Sequence, residues 1–166
     1  MSDPGLAKDN ILCKCNKCGY EWYASYDNLT KSNKPTGCPS CSKSKGEKKI
    51  ASLLRKWGYE FKIEKSYEDL KDIDLLRFDF YLVDFNLLIE YDGEYHYGPV
   101  YTSKDVRDIK QKEIEYNLLV KHDNMKNEYC LKNNIPLLRI PYWDYANIDI
   151  ILFDFMVENN AIIRTK

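Results

Sequence analysis

Residues 87 to 97, LLIEYDGEYHY, join an apolar stretch to side chains that could hold a cation and move a proton. Glu90, Asp92 and Glu94 supply carboxylates, and His96 is one of only two histidines in the chain. Burying an unpaired carboxylate is costly, or it raises the pKa of the group until it takes up a proton. Clustered acids at the end of a buried strand therefore need a cation, a solvent-filled cleft or both, and this stretch is a candidate site.

A further carboxylate, Asp79, stands in the preceding stretch LLRFDFYL. The alternation of apolar residues predicts that the two stretches are neighbouring antiparallel strands, joined between Asp84 and Asn86. A two-residue turn at 84–85 puts Asp79 opposite Glu90, whereas a turn at 85–86 puts it opposite Asp92. Carboxylates that face each other across a ladder repel, so either register predicts a divalent cation between them.

The amino-terminal segment has the spacing of a zinc site. Two C-x-x-C pairs, Cys15 with Cys18 and Cys38 with Cys41, are separated by 19 residues. Four thiolates in this arrangement are typical of a structural zinc ion, and a segment this short depends on the metal for its folding free energy. Disulfides would need an oxidising compartment, and MSDPGLAKDN lacks the apolar stretch of a secretory signal. Cys13 is left over, and it either packs beside the site or replaces Cys15 as a ligand.

Aromatic and basic residues lie between the two cysteine pairs, in EWYASYDNLTKSNK. Trp22, Tyr23 and Tyr26 could stack on nucleic-acid bases while the lysines neutralise phosphates. The competing interpretation for Trp22 is packing against the zinc site.

Overall composition fits a folded protein that acts inside the cell, in the cytoplasm. The chain has 166 residues, 44% of them hydrophobic, which suits one domain with a small appendage, and no apolar run is long enough to cross a membrane. The net charge of −1 hides an asymmetry, because residues 1–66 carry a net +6 and the remainder a net −7. A basic first part suits a polyanionic partner, and an acidic second part suits bound cations.

A helix is predicted directly after the cysteine-rich segment, ending at Gly58. Ser44 and Glu47 have the spacing of a capping box, which explains an acid at that position. Glu47 also shares the inward-facing stripe of the helix, so it could reach a site at the edge of a sheet. Both interpretations stay open. The apolar stripe consists of Ile50, Leu53, Leu54 and Trp57.

The remaining elements predict an α/β domain over residues 44–166, after a zinc ribbon over residues 1–43. A strand over 60–67 precedes the two acidic strands, in the first of which Phe78, Phe80 and Leu82 should share one face. A helix from Asp105 to about Asn133, a strand over 135–140 and a closing helix follow. This order predicts a mixed central sheet flanked by helices.

Several of these segments resemble the PD-(D/E)xK nuclease superfamily. They are GE at 46–47, RFDF at 77–80, IEYDGEYH at 89–96 and DNMKNEYCLKNNIPLLRI at 123–140. The closest likeness is to the very-short-patch repair endonuclease and the EDxHD homing endonucleases of phages and mobile introns. The resemblance covers about residues 44–142 and implies a restriction-endonuclease-like (Vsr-like) core. Zinc ribbons often precede such domains.

Transferred to this chain, the acid, acid, histidine and acid of the motif are Glu47, Asp79, His96 and Asp123. The lysine expected two residues after the acid of the second strand is absent, because Asp92 occupies that position. Its role must therefore pass to His96 or to Lys126. This departure favours the EDxHD branch over conventional restriction enzymes.

The resemblance implies a magnesium-dependent DNA endonuclease of a homing or nicking kind. Asp79 would be the principal Mg²⁺ ligand, assisted by Glu90 or Asp92, with Mn²⁺ as a substitute. His96 would act as general acid or base, since its unperturbed pKa lies near neutrality, whereas His122 lacks such a setting. Glu47 would complete the metal shell or orient the attacking hydroxyl, and Asp123 and Lys126 would orient His96 or contact phosphate.

The expected partner is double-stranded DNA, without a membrane, and the protein is expected to be a monomer or a homodimer, in a setting such as a phage-infected cell. Two other functions fit parts of the sequence. The missing lysine permits a catalytically degenerate protein that binds nucleic acid through its zinc ribbon. The acids alone permit a calcium-binding or structural protein, although the basic first part then has no use.

Overall fold

The computed structural model describes residues 10–17, 19–30, 37–101 and 105–162, and the chain divides into two compact units. The first unit spans residues 1–48 and the second spans residues 49–166.

The first unit is built on a short antiparallel hairpin. Strand β1 (Asn10–Lys14) pairs with β2 (Glu21–Ser25), and the short helices α1 (Tyr26–Thr30) and α2 (Pro39–Ser42) follow. Helix α3 (Lys45–Lys56) begins at the end of this unit. The predicted capping box is confirmed, because Glu47 N donates to Ser44 Oγ at 3.2 Å and Ser44 N donates to Glu47 Oε1 at 3.1 Å.

The second unit is a four-stranded mixed sheet with helices. The sheet order is β3-β4-β5-β6, and only the pair β5–β6 is parallel. The predicted α/β class and mixed sheet are therefore confirmed. Short 3₁₀ turns follow β5 at Glu94–His96 and β6 at Tyr142–Asn147. The elements are β3 (Phe61–Lys71), β4 (Leu75–Leu82), β5 (Leu87–Asp92), α4 (Val106–Lys132), β6 (Leu137–Pro141) and α5 (Ile148–Glu158).

The pairing of β4 with β5 selects one of the two predicted registers. Leu82 pairs with Leu87 and Phe80 pairs with Ile89, so the next position along this register puts Asp79 opposite Glu90. Asn86, in the connection between the strands, has a φ of 53°, which asparagine tolerates better than most residues.

Apolar side chains cover both faces of the sheet. On one face, Phe80 and Leu82 pack with α3 and α5; on the other, Leu76 and Phe78 pack with Leu88 and with Cys130 of α4. The prediction that Phe78 and Phe80 share a face is therefore wrong. Their partners in β3 flank Glu64, which has a φ of 57° and interrupts the regular strand. Asp79 lies between Phe78 and Phe80, where the buried side chains of β4 switch from one face of the sheet to the other.

Helix α4 carries two of the predicted site residues. It begins after Asp105, whose side chain accepts a hydrogen bond from Arg107 N at 2.8 Å. Asp123 and Lys126 are three positions apart and therefore lie on the same side of the helix. Within the described ranges, no helix combines the length and apolar character needed to cross a bilayer.

Candidate functional site

Three of the four predicted zinc ligands lie together. The sulfur atoms of Cys15, Cys38 and Cys41 lie within 4.8 Å of one another, and those of Cys15 and Cys41 are 3.6 Å apart. Thiolates bound to one tetrahedral zinc at about 2.3 Å are about 3.8 Å apart, so the sulfur positions suit that ion. Cys18, the fourth predicted ligand, lies outside the described residues. Among the described residues, no other group of three or more His, Cys, Asp or Glu side chains has its ligand atoms within 4.8 Å of one another.

The hairpin also contains Cys13 and Trp22, for which the sequence left two interpretations open. The Cys13 thiol lies 3.4 Å from the carbonyl oxygen of Ile11, and Cys13 does not belong to the cysteine group. Trp22 stacks on Tyr20 with ring centroids 6.3 Å apart, which favours packing. Tyr23 is 70% exposed and thus accessible to a partner.

Replacing Cys38 by serine should release zinc and unfold the first unit. Structural zinc sites contribute about 10–16 kcal/mol in small fingers, and a missing thiolate removes much of that stabilisation. Elemental analysis of the purified protein measures the metal, and the NMR signals of Trp22 report the fold. Cys13→Ser is the matched control and should retain one zinc per chain. Full zinc content in Cys38→Ser would exclude Cys38 as a ligand.

The first group of predicted catalytic residues lies within the neighbouring strands β4 and β5. The Oδ2 atom of Asp79 accepts a hydrogen bond from Tyr91 N at 2.9 Å, which attaches its carboxylate to β5. Glu90 is only 4% exposed, and its Oε1 accepts a hydrogen bond from Lys126 Nζ at 2.8 Å. That ammonium also lies 5.4 Å from the centre of the Phe78 ring. Helix α4 therefore supplies a lysine to the acid of β5.

Burial dominates the electrostatics of Glu90. It raises the pKa of the carboxyl group from 4.5 to about 7, while the charge of Lys126 lowers this pKa and the charge of Asp79 raises it. At neutral pH the proton is therefore only partly dissociated. Because a metal ion binds the deprotonated carboxylate, cation binding at this position should release a proton and strengthen as the pH rises.

The raised pKa of Glu90 predicts a pH-dependent stability. The folded state binds this proton more tightly than the unfolded state, so Glu90 should make the free energy of unfolding fall as the pH rises from 4.5 to about 7. The decrease should reach at most about 3 kcal/mol. Urea denaturation across this range, in the absence of divalent cations, measures it. Glu90→Gln should lose this component, and equal slopes in parent and variant would contradict the assignment.

A second charged group lies beside the first. Asp92 is only 3% exposed, and Arg139 of β6 donates to both of its oxygens, from Nε to Oδ2 at 2.8 Å and from Nη2 to Oδ1 at 2.7 Å. Arg139 Nη2 also lies 2.8 Å from Asp123 Oδ1. The other oxygen of Asp123 lies 2.7 Å from His96 Nδ1. Because the Asp123 carboxylate can only accept a hydrogen bond, the neutral imidazole carries its proton on Nδ1. Nε2 is therefore the nitrogen available for proton exchange.

These contacts shift the pKa values of the histidine and its partner in opposite directions. The hydrogen bond to Asp123 raises the pKa of His96; burial lowers it, Asp92 raises it further, and Arg139 lowers it. Burial raises the pKa of Asp123, but hydrogen bonds from His96 and Arg139 outweigh burial, and the net shift is downward. The imidazole therefore holds its proton more tightly than an isolated histidine.

Arg139 was missed in the sequence, although a signal was present. It interrupts the apolar strand segment IPLLRI, and a charge in a buried strand requires a partner. The parallel register pairs Glu90 with Arg139, so this residue lies beside the acidic strand. Tyr97, whose hydroxyl lies 3.4 Å from Asp92 Oδ2, was also missed.

An open cleft of about 420 Å³ reaches both charged groups, since Asp123 and Lys126 are among its lining residues. The hairpin tip of β3–β4 and helix α4 form its walls. His122, which the sequence left without a setting, lies in this cleft, and its Nε2 is 3.1 Å from Asp72 Oδ2. Hydrogen bonds from Lys121 and His122 lower the pKa of Asp72.

Glu47 belongs to the first unit, whereas the other predicted catalytic residues belong to the second. Its Oε2 lies 2.9 Å from Lys43 Nζ, and its Oε1 takes part in the capping box. Its capping role is confirmed, and its membership of the acidic site stays a prediction.

Comparison with protein families gave a match within the first unit. Residues 7–44 match the family described as "Probable Treble clef zinc finger domain". The prediction of a zinc finger is confirmed; the description of the matched family is a treble clef, whereas the sequence predicted a zinc ribbon. Cys38 directly precedes α2, and Cys41 lies within it. Comparisons with curated proteins and with solved structures gave no significant match.

Proposed function

We propose that the second unit hydrolyses phosphodiester bonds of DNA with the help of a divalent cation, and that the zinc finger binds the same DNA. The observation that carries this proposal is the adjacency of two functional groups around the inner strands β4 and β5 of the sheet. Asp79 and Glu90 supply carboxylates from neighbouring strands, and His96 is held by Asp123 beside them. Metal-assisted hydrolysis needs both kinds of group.

The donor atoms at Asp79 and Glu90 suit Mg²⁺, with Mn²⁺ as a substitute. Mg²⁺ is usually held by one or two carboxylates, and waters and substrate phosphate complete its coordination. We assign the cation to Asp79 and Glu90 and leave Asp92 out, because Arg139 already binds both Asp92 oxygens. When bound, the cation activates a water molecule and neutralises phosphate charge.

Lys126 replaces the lysine that the nuclease motif has on β5, where this chain has Asp92. Its ammonium, only 2.8 Å from Glu90, reaches the acidic group from α4 instead of from the strand. Both Lys126 and Asp123 line the open cleft, so a phosphate bound there meets the ammonium directly. A positioned cation of this kind stabilises the charge that develops on the attacked phosphate.

His96 acts as the general acid. Asp123 holds the Nδ1 proton, which directs Nε2 to the substrate. The raised pKa increases the fraction of the imidazole that carries a proton on Nε2 at a given pH, and this proton can pass to the departing oxygen.

DNA is the substrate that best fits the charge distribution. Residues 1–66 carry a net +6, and the finger exposes Tyr23 of β2 and Tyr26 of α1. Cations interleaved with exposed aromatic rings bind phosphates and stack on bases. We favour a homing-type or nicking endonuclease that acts on double-stranded DNA.

A plasmid assay separates this function from its strongest competitor. The competitor is a noncatalytic DNA-binding protein. The ion pairs of Glu90 with Lys126 and of Asp92 with Arg139 favour it, since both acids already have partners inside the protein. Incubation with supercoiled plasmid and Mg²⁺, beside an EDTA control, should yield nicked circles only with the metal. Tight, salt-sensitive binding without cleavage would establish the competitor instead.

A further inference from the structure

We infer that Arg139 is a positioning residue that reserves the imidazole of His96 for Asp123 by holding Asp92 away from it. The catalytic meaning of this inference rests on the proposed function. Its structural meaning does not, because the state of His96 can be measured in the protein alone.

The inference starts from a competition between two acids. Asp123 Oδ2 lies 2.7 Å from His96 Nδ1, and Asp92 Oδ1 lies 3.8 Å from the same nitrogen. A small rotation of either side chain would let Asp92 accept the Nδ1 proton. The ring would then turn toward β5, and Nε2 would leave its position.

Arg139 prevents this exchange through its guanidinium group, which is planar and presents its N–H donors as a fork. Nε and Nη2 bind the two oxygens of Asp92 together, which fixes the plane of that carboxylate. The same Nη2 contacts Asp123 Oδ1, so the second oxygen of Asp123 faces His96. A lysine has no fork and could not fix both carboxylates at once.

The charges around His96 support the same conclusion. Asp92 faces it from β5, Asp123 from α4 and Arg139 from β6, while the Tyr97 hydroxyl lies beside Asp92. Two carboxylates against one guanidinium leave a net negative environment. Without Arg139, both acids would act on the imidazole with their full charge, and the pKa of His96 should rise further.

The ion pair of Arg139 with Asp92 is well shielded, with side-chain exposures of 19% and 5%. Arg139→Gln alone leaves a buried carboxylate without its partner and can fail to fold. A double variant, Arg139→Gln with Asp92→Asn, replaces the ion pair by a neutral amide pair of similar shape. Arg139→Lys keeps the charge without the fork.

The test is an NMR titration of His96 in the zinc-loaded full chain, without DNA or divalent cations. We expect Arg139→Gln to raise the His96 pKa by about one unit. Arg139→Lys should keep the pKa within a few tenths of a unit but weaken the Nδ1–H signature of the neutral ring. The double variant should restore that signature, because the neutral amide at position 92 no longer competes as an anion. The matched control is Arg77→Gln, at a residue that pairs with the exposed Glu64, and it should change neither property.

The same variants carry a kinetic readout if the protein cleaves DNA. Arg139→Lys should lower kcat about tenfold with little change in KM, because the imidazole is misplaced while DNA contacts remain. An unchanged His96 pKa and ring tautomer in folded Arg139→Gln and Arg139→Lys would overturn the inference, whatever the cleavage activity. An inactive parent with the expected NMR shifts would overturn the proposed function and leave the inference standing.

Discussion

Asp79→Ala should abolish plasmid nicking, lowering the rate by about three orders of magnitude. Asp79 is the carboxylate that β4 contributes to the cation, and Tyr91 N fixes its Oδ2 at 2.9 Å. Asp79→Asn is a more demanding variant, because its amide oxygen can still accept the hydrogen bond from Tyr91 while the negative charge is lost. It should therefore fold normally and remain inactive.

Nicking of supercoiled plasmid over a range of Mg²⁺ concentrations provides the measurement. Asp84→Ala, in the exposed turn that follows β4, is the control and should cut like the parent. Binding to DNA should survive in all three variants, since the finger is unaffected. If Asp79→Asn cleaves at the parent rate, the cation does not bind between Asp79 of β4 and Glu90 of β5, and the assignment fails.

His96→Ala should produce the second largest loss, about 10²- to 10⁴-fold in kcat, which is the usual contribution of general acid–base catalysis. His122→Ala is the matched control, because the only other histidine lines the open cleft and pairs with Asp72 instead of Asp123. A similar loss in both variants would point to a role in the cleft surface rather than in proton transfer.

The pH profile tests the direction of proton transfer. As a general acid, His96 must be protonated, so the rate should fall as the pH rises through its raised pKa. Asp123→Asn removes the carboxylate that raises this pKa, and the descending limb should therefore move to lower pH. With the divalent cation saturating at every pH, a rate that instead climbs through this range would make His96 a general base.

The order of elements was predictable because each has a strong local signal. The capping box at Ser44 and Glu47 begins a helix, and alternating apolar residues mark β4 and β5. The register between these strands stayed open, since residues 84–86 contain no glycine to define a turn type. The change of face at Asp79 was unpredictable, because it depends on an irregularity at Glu64 in the neighbouring strand.

The acids of the site could be predicted, and their partners could not. A carboxylate in an apolar strand demands compensation, which made Glu90 and Asp92 conspicuous. The residues that compensate them, Lys126 and Arg139, are 36 and 47 positions further along the chain. Local patterns carry no information about such distant pairings. An arginine within IPLLRI shows that a buried partner exists, but only the parallel pairing of β5 with β6 identifies it.

The arrival of Arg139 from β6 has a kinetic consequence. Closing a loop of this length is slow compared with forming the β4–β5 hairpin, because parallel pairing requires distant segments to meet. Until β6 docks, Asp92 and Asp123 lack the guanidinium that they share, and both carboxylates stay hydrated. We therefore expect the pairing of β5 with β6 to be the last part of the sheet to gain protection in pulsed hydrogen exchange. A refolding chain then forms most of its secondary structure well before the contacts around His96 are complete.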